Sequence, residues 1–181
     1  MKRLAVVISE GFEEMECVST VDVLRRGGVE VEVLGLGDVN ITGAHGITIT
    51  CDEIFNCFGL SEFDGVVLVG GMKNAITLSE TNDILSLLED FNNNEKLIAG
   101  ICATPSIVFS KTNILRGKGA TCYPSSDLIA NLENFIDSPV VVSGNVITSQ
   151  SPATAIDFAL AILNYFEIDV SSLISELKGK M

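Results

Sequence analysis

Residues 96–110 read K-L-I-A-G-I-C-A-T-P-S-I-V-F-S, and both the fold and the chemistry of the chain turn on them. Leu97–Ile101 is an uninterrupted apolar run of strand length, and Cys102 follows at once. Residues 103–110 read as the first turns of a helix, with Pro105 near the start, where its missing N–H is tolerated. A cysteine at such a strand-to-helix turn has the setting of a nucleophile elbow. The sharp turn lifts the side chain clear of the sheet, while free N–H groups and the helix dipole favour a thiolate. The same cysteine also reads as a small buried hydrophobe, and this stretch alone leaves both readings open.

On either side the chain alternates strand and helix. Residues 3–9 contain L-A-V-V-I, the continuous branched run of a strand buried on both faces, and residues 10–12 form a turn. Residues 13–26 then read as a helix with acidic residues in the first turn, basic ones in the last and Gly27-Gly28 after it. Met15, Val18, Val21 and Leu24 fall near one face of that helix. Residues 29–34 alternate as V-E-V-E-V-L, a second, more exposed strand that closes a β-α-β unit. Residues 39–50 break the rhythm with glycines at a bend and predict a hairpin or a pair of short strands, the kind of excursion that often serves as an interface. Residues 63–69 are the next buried strand, closed by Gly70-Gly71, and residues 82–91 a helix with Ile84, Leu87, Leu88 and Phe91 on one side. Beyond Cys102 the pattern predicts a short strand at 119–123, a short helix at 126–132 and a strand pair at 139–149 around Ser143-Gly144-Asn145. An amphipathic helix at 153–166 carries Ile156, Ala159, Leu160, Leu163 and Phe166 at helical spacing, and residues 170–178 add a last helix.

Strands alternating with helices imply an α/β fold, a three-layer α/β/α sandwich around a mostly parallel sheet. No repeat, linker or low-complexity tract divides it, so residues 1–181 read as one domain. Such sheets bind ligands beyond the carboxyl ends of their strands, where residues 10–16, 70–75, 102–105 and 149–154 are expected to lie.

The composition narrows the function. At 181 residues, with 47% hydrophobic and 19% charged, the chain can bury a core without staples and is not disordered. A net charge of -13, with 11 Lys and Arg that form no patch in sequence, argues against nucleic acid or an anionic membrane as the main partner. The apolar run before Ser9 and Glu10 is too short for a signal peptide, and no segment approaches a membrane span, so a cytoplasmic location is expected. Five cysteines, an odd number without C-x-x-C spacing, and the single His45 suggest neither a disulfide framework nor a metal site. Neither G-x-G-x-x-G nor a P-loop stands at a strand-to-helix turn, and no cofactor is expected.

Three stretches could carry chemistry together. Gly70-Gly71 would let backbone N–H groups approach an oxyanion or sulfinate, although without Cys102 nearby it is a plain strand-ending turn. Glu16, in G-F-E-E-M-E-C-V, could point back over the sheet edge toward Cys102. Enclosed there it would be protonated and could donate a hydrogen bond to sulfur. Stabilisation of the helix dipole suits Glu13 and Glu14 better, but position alone does not choose among the three. Cys17, next to Glu16, belongs to a different face, and it and Cys122 read as structural thiols.

These motifs resemble those of the ThiJ/PfpI superfamily, and within it the DJ-one, protein-deglycase branch. The resemblance runs nearly end to end, through G-F-E-E-M-E-C-V (11–18), V-D-V-L-R-R-G-G (21–28), G-A-H-G-I-T-I (43–49), V-L-V-G-G (67–71), I-C-A-T-P (101–105), A-T-C-Y-P (120–124) and I-T-S-Q-S-P-A-T-A-I-D-F-A-L-A-I (147–162). It implies a flavodoxin-like sandwich, usually a homodimer, with a reactive cysteine at Cys102, a protonated glutamate at Glu16, Gly71 lining the site and Ala103 helping to supply backbone N–H groups. The activities it implies need no cofactor: conversion of methylglyoxal or glyoxal to hydroxy acids, or repair of early glycation adducts on proteins or nucleotides. A non-enzymatic redox sensor or chaperone is the alternative, and a cysteine peptidase a third reading.

Two departures from the family pattern matter. Glyoxalase and peptidase members commonly place a histidine beside the cysteine, where this chain has Ala103 or Tyr123, while His45 matches a hairpin near the family's dimer interface. A peptidase therefore lacks its base. The usual S-R-G-P-G-T loop is S-Q-S-P-A-T at residues 149–154, so Gln150 replaces an arginine. The rim formed by Tyr123, Gln150 and Pro152 carries less charge, which argues against phosphorylated or carboxylated substrates. The expected chemistry is addition of Cys102 to a small aldehyde, with Glu16 as proton carrier and N–H groups near Gly70, Gly71 and Ala103 holding the oxyanion.

Overall fold

The computed structural model describes residues 1–179; Lys180 and Met181, the end of the single domain expected from sequence, lie outside the described residues. Its strands are β1 (Arg3–Ile8), β2 (Glu30–Gly35), β3 (Asn40–Thr42), β4 (Thr48–Thr50), β5 (Glu53–Ile54), β6 (Gly65–Leu68), β7 (Leu97–Ile101), β8 (Val140–Ser143) and β9 (Val146–Ser149). Its α-helices are α1 (Glu14–Arg26), α2 (Met72–Glu80), α3 (Asn82–Asn93), α4 (Thr104–Ile107), α5 (Ser126–Ile129), α6 (Ala155–Tyr165) and α7 (Ser171–Leu177). Seven strands form one sheet in the order β5-β2-β1-β6-β7-β9-β8, parallel throughout except where β8 returns antiparallel to β9. The fold is thus the flavodoxin-like sandwich expected, with β1, β6 and β7 at its centre.

The pleat divides the core in two. Leu4, Val6, Ile8, Val67, Val69, Ala99 and Ile101 point to the layer made by α1 and α6, where Leu24, Phe158 and Ile162 meet them. Ala5, Val7, Val66, Leu68 and Ile98 point to the other face, against Leu78, Ile84, Leu88, Phe91 and Phe109. Both faces are covered, which is why the central strands read as continuous apolar runs. The excursion at residues 39–50 is a separate antiparallel pair, β3 with β4, placed beside the start of α1.

Several local expectations need correction. Residues 72–80 form α2, where the sequence predicts a loop at 70–75 and no element after it, because half of the buried face is polar: Asn74 and Ser79 join Ala75 and Leu78. Residues 119–123 form no strand; Ala120 makes a single bridge to Phe135. On α1, Met15 and Val18 are exposed, and the buried residues are Cys17, Thr20, Val21, Val23 and Leu24 together with Glu14 and Glu16. Carboxylates occupy the inner side of the first turn, so apolar spacing misplaced the face. Likewise Ile156 of α6 faces outward while Phe158 and Ile162 lie in the core. The helix after Cys102 is a single turn, α4, followed by a 3-10 turn at Phe109–Lys111. β5 and a 3-10 turn at Cys57–Glu62 carried no readable periodicity.

Candidate active site

Parallel strands β1, β6 and β7 end side by side, and the loops that leave them meet at one sheet edge. Cys102 follows β7 with φ 65°, a left-handed conformation uncommon for a residue with a Cβ, which turns its side chain away from the strand direction. The surroundings hold it there. Its N–H donates to the Ser149 carbonyl at 2.9 Å, and its carbonyl accepts from the Tyr123 N–H at 2.8 Å. The sharp strand-to-helix turn expected of an elbow is present at Cys102, but the helix dipole expected behind it is not. Because α4 is a single turn, its dipole is small, and the groups that favour a thiolate are the N–H groups of Gly71 and Ala103, which face the sulfur.

Glu16, in the first turn of α1, is fully buried. Its Oε2 accepts the Gly70 N–H at 2.7 Å, while Oε1 is buried without a hydrogen-bond partner of ordinary geometry and Cys102 faces the carboxyl group. Burial pushes the carboxyl up to about 7, against the pull of the Gly70 N–H and Cys102 and with a small push from Glu13. Burial likewise raises Cys102, helped by the facing Glu16 and opposed by the N–H groups of Gly71 and Ala103, to about 12. What the enclosed site resists is a second anion beside the first. Charge on one member of the pair disfavours charge on the other, and the proton they keep can sit on oxygen or on sulfur. Protonating Glu16 removes the charge that opposes the thiolate. Cys17 is also lifted to about 12, chiefly by burial, with further pushes from Cys51 and Glu16.

The glycines are needed for space. A side chain at Gly70 would place its Cβ 2.6 Å from Glu16 Oε2 and 3.1 Å from Cys102 Sγ, so both groups converge on the point glycine leaves empty. Gly71 has φ 88°, and a Cβ there would lie 2.3 Å from the Gly11 carbonyl oxygen. The expected roles divide between them: the Gly70 N–H is committed to Glu16 and is not free for an oxyanion, so the donors facing sulfur are Gly71 and Ala103.

Of the rim residues, Tyr123 is half exposed and its backbone touches the elbow directly. Gln150 and Pro152 lie on the loop that starts at Ser149; the Gln150 amide is held by Asp137 at 2.9 Å. The other acidic residues of the first turn are placed elsewhere. Glu13 caps α1, accepting the Met15 N–H at 3.4 Å. Glu14 accepts the His45 N–H at 2.7 Å, its Nδ1 at 2.9 Å and the Ile47 N–H at 3.4 Å, so it pins the β3–β4 hairpin. His45 thus sits on the hairpin and supplies no base to Cys102. Glu13, Glu14 and His45 each bring one potential ligand atom within 4.8 Å of the others, yet the oxygens of Glu14 are already spent on the hairpin. Sequence reasoning missed the buried polar residues behind the site, Ser9, Asn74 and Thr104; a polar residue beside Gly70-Gly71 was the available signal.

Residues 2–165 match the profile of the DJ-1/PfpI family. The chain is similar to protein DJ-1 homolog B of Arabidopsis thaliana, 32% identical over 165 residues, which cover 91% of this chain and 38% of that protein. It spans about two fifths of the length of the Arabidopsis relatives it matches. Protein dj-1beta of Drosophila melanogaster is 37% identical over 164 residues, 89% of this chain and 87% of that one. Among solved structures, oxidized Toxoplasma gondii DJ-1 superposes with a TM-score of 0.91 at 26% identity, covering 99% of both chains.

Proposed function

The chain belongs to the DJ-1/PfpI family, and from that premise we propose that it is a cofactor-independent cysteine enzyme that converts small reactive aldehydes to hydroxy acids. The observation that supports this best is the convergence of Cys102 Sγ and Glu16 Oε2 on the space at Gly70. Methylglyoxal illustrates the chemistry. The Cys102 thiolate adds to the aldehyde carbon, the carbonyl pair moves to oxygen, and the proton on Glu16 completes a hemithioacetal. The N–H groups of Gly71 and Ala103 stabilise the oxyanion as it forms. Glu16, now a carboxylate, takes the hydrogen on that carbon as a proton and returns it to the neighbouring ketone carbon, while the hydroxyl proton passes to the former ketone oxygen. The first carbon is oxidised by two electrons and the second reduced by the same two. Water then cleaves the resulting thioester, releasing lactate and the Cys102 thiol. A carboxyl titrating near 7 suits a group that must both give and accept a proton.

Gln150 is held by Asp137 and no arginine stands in its place, which favours an uncharged carbonyl over a phosphorylated one. An early glycation adduct of a protein or nucleotide would enter by the same addition. Five free cysteines suit a reducing compartment, and we assign the protein to the cytoplasm. Among the described residues no helix is long and apolar enough to cross a membrane. The second reading is an oxidation sensor, favoured by the N–H groups of Gly71 and Ala103, which would serve the oxygens of a sulfinate as well as they serve an oxyanion.

Methylglyoxal consumption with lactate as product tests the choice. Turnover is expected to be lost in Cys102→Ser and to fall roughly 100-fold or more in Glu16→Gln. If the wild-type protein shows no turnover that depends on Cys102, and mild peroxide adds two oxygens at Cys102 alone among the five thiols, the enzyme reading gives way to the sensor.

A further inference from the structure

Asn74 lies in the first turn of α2, fully buried, and its hydrogen bonds go to Ser9, Val69 and Gly70 rather than to the sulfur or the Glu16 carboxyl. Its side-chain oxygen accepts the Ser9 N–H at 2.7 Å and the Ser9 hydroxyl at 2.8 Å. Its nitrogen donates to the Val69 carbonyl at 2.9 Å and the Gly70 carbonyl at 3.1 Å. Four bonds use the whole capacity of the amide.

The two carbonyls it holds are the ones that matter. In a planar trans peptide the C=O and the N–H point in opposite directions, so fixing one aims the other. The Val69 carbonyl shares its peptide with the Gly70 N–H, which donates to Glu16 Oε2 at 2.7 Å. The Gly70 carbonyl shares its peptide with the Gly71 N–H, which faces the Cys102 sulfur. One amide nitrogen therefore grips the far ends of both peptides whose near ends serve the acid and the thiol. Each carbonyl has one other holder, the Thr104 hydroxyl on Val69 at 2.7 Å and the Glu13 N–H on Gly70 at 3.1 Å. Glycine at 70 and 71 offers little resistance of its own to rotation of these units.

We propose that Asn74 is a positioning residue that aims the Gly70 and Gly71 N–H groups at Glu16 and Cys102, with Ser9 orienting its amide. The role rests on the reading of Cys102 and Glu16 as the reactive pair. Removing the amide nitrogen would let the two peptides rotate, and loss of the Gly71 N–H from the sulfur would disfavour the thiolate.

The test reads the thiol itself rather than turnover: the rate of iodoacetamide alkylation at Cys102 against pH, located by mass spectrometry, with thermal unfolding measured alongside. Asn74→Ala is expected to slow alkylation near neutral pH about threefold to tenfold, the worth of one hydrogen bond, and to displace the profile to higher pH. Asn74→Asp keeps the volume and the bonds from Ser9 but replaces the donor with an acceptor, and it should displace the profile in the same direction. Ser9→Ala removes one of the two bonds that orient the amide and leaves the Ser9 N–H in place, so it should displace the profile in the same direction but less than Asn74→Ala. A folded Asn74→Ala or Asn74→Asp protein with the wild-type profile overturns the proposal. Should neither fold, NMR of the wild-type protein decides. The Asn74 side-chain amide resonances should move with the same pH midpoint as the Gly70 amide, and a flat response overturns the assignment. A wild-type Cys102 that does not alkylate at all would instead undo the reactive-thiol reading beneath it.

Discussion

Glu13, Glu14 and Glu16 are one residue type within a single helical turn, and their surroundings separate them into a cap, a hairpin anchor and a buried acid. The last has a consequence for stability. Unfolded, Glu16 titrates near 4.5; folded, burial pushes it up to about 7. Between those values the native protein keeps a proton that the unfolded chain has released. Stability therefore falls as pH rises through that window, by roughly 3 kcal/mol at most, and levels off above it. Glu16→Gln, which carries no charge at any pH, should flatten this decline. Urea midpoints from pH 4 to 8.5 check it, and parallel curves for the two proteins would mean that Glu16 is ionised in the native state throughout. At this scale sequence position could not tell the three carboxylates apart; only the family motif singled out Glu16. The reason is that the distinction depends on what each oxygen meets across the fold.

The β3–β4 hairpin makes three of its hydrogen bonds to a single side chain, Glu14. It lies outside the main sheet and docks on the segment leading into α1 through Gly11 N–H to the Thr42 carbonyl and Ala44 N–H to the Phe12 carbonyl, both at 2.8 Å. Glu14 adds its bonds from His45 and Ile47, and a Cβ at Gly43 would come within 2.3 Å of the Glu14 carboxyl carbon. Glu14→Ala should raise hydrogen exchange at the His45 and Ile47 amides about tenfold or more, with β6 and β7 unchanged. Equal protection in the two proteins would show that backbone bonds alone seat the hairpin. The hairpin was legible from its alternation and glycines, whereas α2 was not, because Asn74 and Ser79 take buried places that periodicity reserves for apolar residues.

For the whole molecule, the outer side of α1 and the hairpin form one surface on which Met15, Val18 and Ile47 are 61%, 54% and 58% exposed. The family resemblance implies a homodimer, and we propose that this exposed apolar surface beside α1 is where two copies meet. Wild-type protein should sediment as a dimer and Val18→Glu as a monomer that keeps its fold, while a monomeric wild type would remove the assignment. The sequence by itself determined the alternating elements, the parallel sandwich and the elbow at Cys102, since strand runs, helix periods and glycine turns are local properties written in neighbouring residues. Through the family motifs it also named Glu16 and Gly71. Only the tertiary structure decided that Glu16 takes the Gly70 N–H, 54 residues away, and that Asn74 reaches Ser9 across 65 residues to hold the peptides between them. Hydrogen bonds between distant segments leave no period in the chain, so the direction in which a carboxyl or an N–H points becomes fixed only when the sheet edge closes around it.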